Sequence, residues 1–311
     1  MRVTALFVAA GLVFACAAPA SAQAWLPPKG EASFSLGFSR NSAGHHINYL
    51  GEDVSPGAME WHQFVPDLGY SITDRLAIRL GAPPYVFSRY KGATPHPALP
   101  GQPVYDDGNW HGAFQDLRAE LRWKATTGSL VVTPLVAIVA PASGYAQLAH
   151  SAHGRHLFEG QLGVNVGRLL DPLLPNAFVE GRYAYTVAER VLDTMHDRSN
   201  AALDVGYLVT SALTVSALGA WQKSHGGWRA TVDFPAPTHP NFRFHDQLER
   251  TDYFRVGATA SYALTGSVDV GASWFKTVKA RSDVDMSGLA LGLTYNFSPS
   301  QLIKKKKGPR T

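Results

Sequence analysis

Short segments in which apolar and polar residues alternate recur from residue 31 to residue 297 of this 311-residue chain. In the stretch GLALGLTYNF (288–297), one parity carries three leucines followed by Tyr295 and Phe297, and the other carries glycine, alanine, threonine and asparagine. Successive side chains of a β-strand point to opposite faces, so this pattern predicts strands with one apolar and one polar face. The recurrence indicates an all-β fold.

Two kinds of connection separate these segments, and they alternate strictly along the chain. The short ones are SITDRL (71–76), KATTGS (124–129), LLDPLLPNA (169–177), VTSALT (209–214) and ALTGSV (263–268). The long ones are rich in Gly, Pro, His and Asp and cover 41–58, 89–110, 142–154, 191–199, 225–250 and 281–286. The pattern predicts one antiparallel transmembrane β-barrel of about 12 strands, with short periplasmic turns and long outer loops.

The predicted strands cover 31–40, 59–71, 76–88, 111–124, 129–141, 155–169, 177–190, 200–210, 213–224, 252–264, 267–280 and 287–297. Mean hydropathy is only −0.08 and 17% of residues are charged, as expected when strands alternate between lipid and a polar interior. A soluble periplasmic β-protein is the alternative for an exported chain of this kind. It gives no reason for aromatic residues to gather at the strand ends.

Aromatic residues on the apolar parity fall near the predicted strand ends. With both termini in the periplasm, the periplasmic group is Tyr70, Trp123, Tyr207, Tyr262 and Tyr295, and the outer group is Tyr185, Trp221 and Trp274. Amphipathic rings favour the two membrane–water interfaces, so two such groups indicate a membrane barrel.

The N-terminus predicts export. Residues 1–22 combine Arg2, an apolar run, and Ala20 and Ala22 in the small-residue spacing of a signal-peptide cleavage site, with cleavage after Ala24 as the alternative. The only cysteine, Cys16, lies inside the apolar run, so the exported chain has no thiol for a disulfide or a metal site. The predicted organisation is a signal peptide (1–22), a barrel (23–297) and a basic periplasmic tail (298–311).

The net charge of +4 comes from the tail, which contains Lys304–Lys307 and Arg310. Without these five and Arg2, 22 of the 28 basic residues remain against 24 acidic ones, so the charge gives no reason to expect nucleic-acid binding. The tail is expected to be solvated, with contact to anionic phospholipid as the alternative.

The polar parity of the strands predicts which charges face the barrel interior. The candidate lumen-lining residues are Asp116, Arg118, Glu120, Arg122, Glu180, Arg182, Asp204, Arg255 and Asp269. Charges of both signs can pair to hold the barrel together, or can form a polar wall that passes small solutes. Twelve strands lie between small barrels filled by side chains and wide porins, which predicts a narrow or loop-constricted passage.

Two stretches carry a family resemblance: AWLPPKGEASFSLGFS (24–39) and LGYSITDRLAIRLGAPPYVFS (68–88). Weaker echoes of the second occur at VGYLVTSALTV (205–215) and ASYALTGSVDV (260–270). They resemble the outer-membrane transporter family named after the meta-pathway of phenol degradation, over residues 25–297. The resemblance implies an outer-membrane barrel associated with uptake of aromatic or other hydrophobic compounds, and it supplies no site residues.

Two motifs suggest chemistry. HDRSNA (196–201) is similar to a motif of outer-membrane lipid hydrolases, but His196 and Ser199 are three residues apart, which puts them on opposite faces of a regular strand. HSAHGRH supplies His150, His153 and His156 as weak candidates for a metal site. The expectation is no enzyme, no cofactor and no metal.

The sequence therefore predicts a bacterial outer-membrane channel or transporter for small solutes, including hydrophobic or aromatic ones. Its expected partners are outer-membrane lipid, the solute, and the barrel-assembly machinery during biogenesis. Two alternatives stay open: an outer-membrane lipid hydrolase that uses His196 and Ser199, and a structural or adhesive barrel that transports nothing.

Overall fold

The computed structural model describes residues 24–93, 95–96, 104–230 and 232–300, so the predicted signal peptide and residues 301–311 of the predicted tail lie outside the described residues. The strands are β1 (Ala32–Ile47), β2 (Asp53–Thr73), β3 (Leu76–Gly81), β4 (Tyr85–Gly92), β5 (His111–Phe114), β6 (Asp116–Trp123), β7 (Leu130–Pro141), β8 (Glu159–Leu169), β9 (Ala177–Ala188), β10 (Arg198–Leu208), β11 (Leu213–Ser224), β12 (Asp252–Thr265), β13 (Val268–Arg281), β14 (Asp283–Val284) and β15 (Ser287–Phe297). A short 3-10 helix (Pro240–Phe244) and α1 (His245–Leu248) lie between β11 and β12.

All fifteen strands form one antiparallel sheet that closes on itself, because β1 pairs with β2 on one side and with β15 on the other. Three spans are interrupted: β3 and β4 at Pro83 and Pro84, β5 and β6 at Gln115, and β14 and β15 at Asp285 and Met286. Proline lacks the N–H that a ladder needs, which explains the first break. Counted as spans, the strands form the predicted 12-strand barrel.

The outer face of the barrel is apolar and exposed. On β15, Leu289 and Leu291 are 62% and 60% exposed, whereas Ala290 between them is buried. Tyr70, Trp123, Tyr207, Tyr262 and Tyr295 are all exposed next to the short turns, and Trp221 and Trp274 are exposed in the part of the wall nearer the long connections. Among the described residues, no helix has the length and apolar character needed to cross a membrane.

Most predicted strands agree with the structure to within a few residues, and 213–224 and 287–297 agree at both ends. The prediction of a long loop over 41–58 is wrong, because β1 continues to Ile47 and β2 begins at Asp53. A tight turn joins them. The Asn48 side chain accepts hydrogen bonds from the backbone N–H groups of Leu50 and Glu52, and Gly51 adopts a positive φ of 91°.

Candidate functional site

Several charged side chains of the barrel wall surround Glu120 on β6, whose side chain is 2% exposed. Arg118 Nη2 and Arg182 Nη2 donate to Glu120 Oε2 at 2.5 and 2.8 Å, and Arg122 Nε donates to Oε1. Arg118 also donates to Gln161 on β8, at 2.7 Å. We call Arg118, Glu120, Arg122 and Arg182 the arginine cluster.

The arginine cluster joins strands that are not neighbours, because β7 and β8 lie between β6 and β9. Its members project from the face opposite to exposed residues such as Leu117 and Leu121, so they lie on the inside of the barrel. One carboxylate serves three guanidinium groups, which leaves a net positive charge. The Arg118 and Arg182 side chains remain 31% and 21% exposed, so water reaches this charge.

The other predicted lining residues have separate partners. Asp116 accepts from Tyr145, Glu180 accepts from the backbone of Ala24, Arg255 pairs with Asp283, Asp269 accepts from Asn296, and Asp204 is half-buried on β10. Four of the nine candidates therefore meet in the arginine cluster. Their role toward a solute stays a prediction.

The N-terminal segment lies inside the barrel wall. Ala24 is fully buried; its N–H donates to Glu180 Oε1 at 2.6 Å, and its carbonyl accepts from Thr133 Oγ1 at 2.6 Å. A Cβ on Gly167 of β8 would lie 2.5 Å from the Trp25 ring and 2.7 Å from Ala24, so only glycine allows this close approach. No local pattern in the sequence predicts this placement, because it depends on residues of three different strands.

The long connection between β7 and β8 (142–158) folds into the mouth of the barrel. His150, Ser151, Ala152 and His153 are all essentially inaccessible to solvent. The Ser151 carbonyl accepts from Ser88 of β4 at 2.5 Å, and the Tyr145 hydroxyl donates to Asp116 of β6 at 2.5 Å. An inward-folded connection of this kind occupies part of the barrel interior on the long-loop side.

The structure separates the His196 and Ser199 pair of the lipid-hydrolase alternative. His196 Nε2 lies 2.7 Å from the Glu249 carbonyl and 2.9 Å from Arg155 Nη1, and burial beside Arg155 holds the pKa of His196 well below its usual value. Ser199 Oγ instead contacts His225 Nε2 at 2.7 Å and Tyr183 at 2.9 Å. His196 precedes β10, whereas Ser199 lies within it, so the two side chains point to different surroundings.

The three clustered histidines also separate. His153 Nε2 lies 3.1 Å from the His111 carbonyl, and His156 Nε2 lies 3.1 Å from the Ser143 carbonyl. His150 instead packs edge-on against His96, with ring centroids 4.3 Å apart and an interplanar angle of 67°. The structure therefore does not bring His150, His153 and His156 together around one point.

Comparison with known proteins finds no matching family profile and no matching curated protein. Among solved structures, an outer membrane channel from Pseudomonas putida F1 gives a TM-score of 0.66 at 13% identity, covering 88% of this chain and 98% of that one. The NanC porin gives 0.49 at 8% identity, covering 84% and 98%. The translocator domain of the autotransporter NalP from Neisseria meningitidis gives 0.49 at 11%, covering 87% and 90%. The first similarity confirms the predicted fold, an outer-membrane type of β-barrel.

Proposed function

We propose that this protein is an outer-membrane channel that passes small solutes through the barrel interior without catalysing a reaction. The observation that carries the proposal is the arginine cluster on the inner wall, where guanidinium groups with excess positive charge remain in contact with water. Guanidinium groups bind carboxylates and phosphates through paired, charge-assisted hydrogen bonds. A polar wall of this kind selects solutes by charge.

The positive charge of the cluster favours small anions. The resemblance of residues 25–297 to the transporter family of the meta-pathway of phenol degradation adds aromatic or other hydrophobic compounds as the expected cargo. An aromatic carboxylate has both properties, so aromatic carboxylates are the first compounds to include in a solute panel.

The first test is ion selectivity in planar bilayers under a salt gradient. The refolded protein is expected to conduct and to prefer chloride over potassium. In the Arg118→Gln and Arg182→Gln variants the preference is expected to fall by about fivefold each, because a unit charge at 4 Å in water contributes ~1 kcal/mol. Arg75→Gln is the matched control, since Arg75 lies exposed in a short turn.

The proposal fails if the refolded barrel gives neither current nor solute-driven liposome swelling. That result would favour the structural or adhesive barrel, for which the inward-folded 142–158 connection and the buried N-terminal segment would serve to fill the interior. Conduction with unchanged selectivity in both arginine variants would contradict the role of the arginine cluster and leave some other part of the wall as the selectivity element.

A second prediction concerns the N-terminal segment. Gly167→Ala is expected to displace Ala24 and Trp25 from the wall and to increase the single-channel current. Forcing a methyl group into this contact costs about 1–3 kcal/mol, which is comparable to the hydrogen bonds that hold the segment. The measurement is single-channel recording of the two proteins under identical salt.

The matched control is Gly160→Ala on the same strand, because a Cβ at Gly160 meets no atom within 4 Å. It is expected to leave the current unchanged. Equal currents in wild type and Gly167→Ala would show that the N-terminal segment does not limit conduction.

Location in the bacterial outer membrane is part of the same proposal, with residues 1–22 as a cleaved signal peptide. Cleavage after Ala22 retains Ala24 and both of its hydrogen bonds to the wall, whereas cleavage after Ala24 removes them. Outer-membrane lipid and the barrel-assembly machinery are the proposed partners. For the tail (298–311) we propose a solvated segment.

A further inference from the structure

Side chains from two outer connections form one buried cluster of histidines and carboxylates, and a third connection contacts it through backbone N–H groups. The β4–β5 connection contributes His96 and Asp106, and the β11–β12 connection contributes His245 and Asp246. The side chains of all four are at most 2% exposed. This histidine–carboxylate cluster shares no residue with the arginine cluster, and conduction through the barrel does not require it.

The facing atoms of the cluster are close enough to share one ion. His96 Nε2 lies 3.2 Å from His245 Nε2 and 3.6 Å from Asp246 Oδ1, and His245 Nε2 lies 2.6 Å from the same oxygen. Neighbouring ligands of a tetrahedral ion with bonds of 2.0–2.1 Å are separated by about 3.3 Å. Two of the three separations are close to that value, and the third needs only a small side-chain movement.

The opposite nitrogens determine where the protons are. His96 Nδ1 lies 2.9 Å from Asp106 Oδ2, and His245 Nδ1 lies 2.5 Å from the Phe242 carbonyl. A carboxylate and a carbonyl both accept, so each Nδ1 carries a hydrogen. Each neutral ring therefore presents a lone pair at Nε2, and these lone pairs face one another. If both rings also carried a hydrogen at Nε2, two N–H groups would point at each other.

Backbone N–H groups of the β7–β8 connection hold the Asp106 and Asp246 carboxylates in place. Asp246 Oδ2 accepts from the N–H of Ala149 at 2.9 Å, and Asp106 accepts from the N–H groups of His150 and Ser151 at 3.0 and 3.1 Å. Asp246 Oδ1, which points to the histidines, is buried and makes no hydrogen bond of regular geometry. This leaves one carboxylate oxygen aimed at the two imidazoles.

The charge of this histidine–carboxylate cluster also favours a bound cation. Two buried carboxylates beside two neutral imidazoles carry a charge of −2, which is costly to bury without compensation. A cation bound between the two imidazoles and Asp246 would offset this charge.

We propose that His96 Nε2, His245 Nε2 and Asp246 Oδ1 bind one divalent metal ion of the zinc class. Two imidazole nitrogens and one carboxylate oxygen suit Zn²⁺, and three protein ligands leave a fourth position for water. Asp106 and the Phe242 carbonyl orient the imidazoles, as such partners do in known metal sites. The ion binds residues of the β4–β5 and β11–β12 connections. The backbone N–H groups of Ala149, His150 and Ser151 link the β7–β8 connection to the same carboxylates, so the site holds three outer connections together at the barrel mouth.

The test is the metal content of the full-length protein refolded with zinc, then dialysed and analysed by mass spectrometry. We expect one zinc per chain and a thermal midpoint that falls by about 5 °C or more on chelation and returns with zinc. Magnesium, which prefers six oxygen ligands, is expected not to restore it. Both readouts are independent of conductance.

Asp246→Asn and His245→Ala are expected to abolish stoichiometric zinc; Asp246→Asn preserves size and an acceptor for Ala149. His239→Asn is the matched control: His239 is exposed in the same connection and accepts from the N–H of Asn241, a role that asparagine can fill. It is expected to retain the metal. A wild-type protein that holds no zinc and shows no thermal response to zinc would overturn the proposal, leaving a proton between the two histidines.

Discussion

The Glu120→Gln variant is expected to lose about 3–5 kcal/mol of unfolding free energy, because it removes the only carboxylate of the arginine cluster. Arg118, Arg122 and Arg182 all donate to this side chain, which is 2% exposed. Glutamine preserves the shape but offers no negative charge to offset three guanidinium groups. The measurement is equilibrium unfolding by urea in lipid vesicles.

Glu31→Gln is the matched control, because Glu31 is exposed at the entry to β1 and its loss is expected to change stability by less than about 0.5 kcal/mol. Adding Arg182→Met to Glu120→Gln is expected to restore part of the stability, since it removes one of the unbalanced charges. A Glu120→Gln barrel as stable as wild type would mean that water alone compensates the three arginines.

The strands were predictable because alternation is a local property. In β15, each leucine is exposed and Ala290 is buried, as parity alone requires. The extension of β1 to Ile47 was not predictable. It depends on pairing with β2 and β14, and the composition of 41–58 is that of a loop. A strand edge that finds a partner continues despite poor propensity, because strand stability depends on its neighbours.

The inner face of the wall was predictable in the same way, but the contacts across it were not. Parity puts Arg118, Glu120 and Arg122 on one face of β6, and the structure has them together. Arg182 is 62 residues away in sequence from Glu120, and only the closure of the barrel brings it to the same carboxylate. No local pattern encodes which interior charges meet.

The histidine contacts were even less predictable from the sequence than the contacts between interior charges. Close spacing in HSAHGRH suggested that His150, His153 and His156 act together, yet each has a different set of neighbours. The cluster that forms takes His96 from one connection and His245 from another, 149 residues apart. Long connections fold by their contacts with one another, so proximity in sequence is a poor guide to the ligands they assemble.

Breaking the ion pair of Arg255 and Asp283 is expected to have an effect as large as that of Glu120→Gln. Both side chains are fully buried, and Arg255 Nη2 donates to Asp283 Oδ2 at 2.9 Å. The guanidinium also lies 4.1 Å from the centre of the Tyr253 ring and donates to Thr277 at 3.2 Å. Arg255→Met leaves the carboxylate buried without its counter-charge, which costs about 3–5 kcal/mol.

The double variant Arg255→Met/Asp283→Asn distinguishes a charge effect from a packing effect. Replacing both charges by neutral groups of similar size is often close to neutral, so the double variant is expected to be more stable than Arg255→Met alone. The control is Arg281→Met, at an exposed residue that ends the neighbouring strand β13, and it is expected to change stability by less than about 0.5 kcal/mol. If the double variant were as unstable as the single one, the guanidinium would stabilise the barrel through its contacts with Tyr253 and Thr277 and not through its charge.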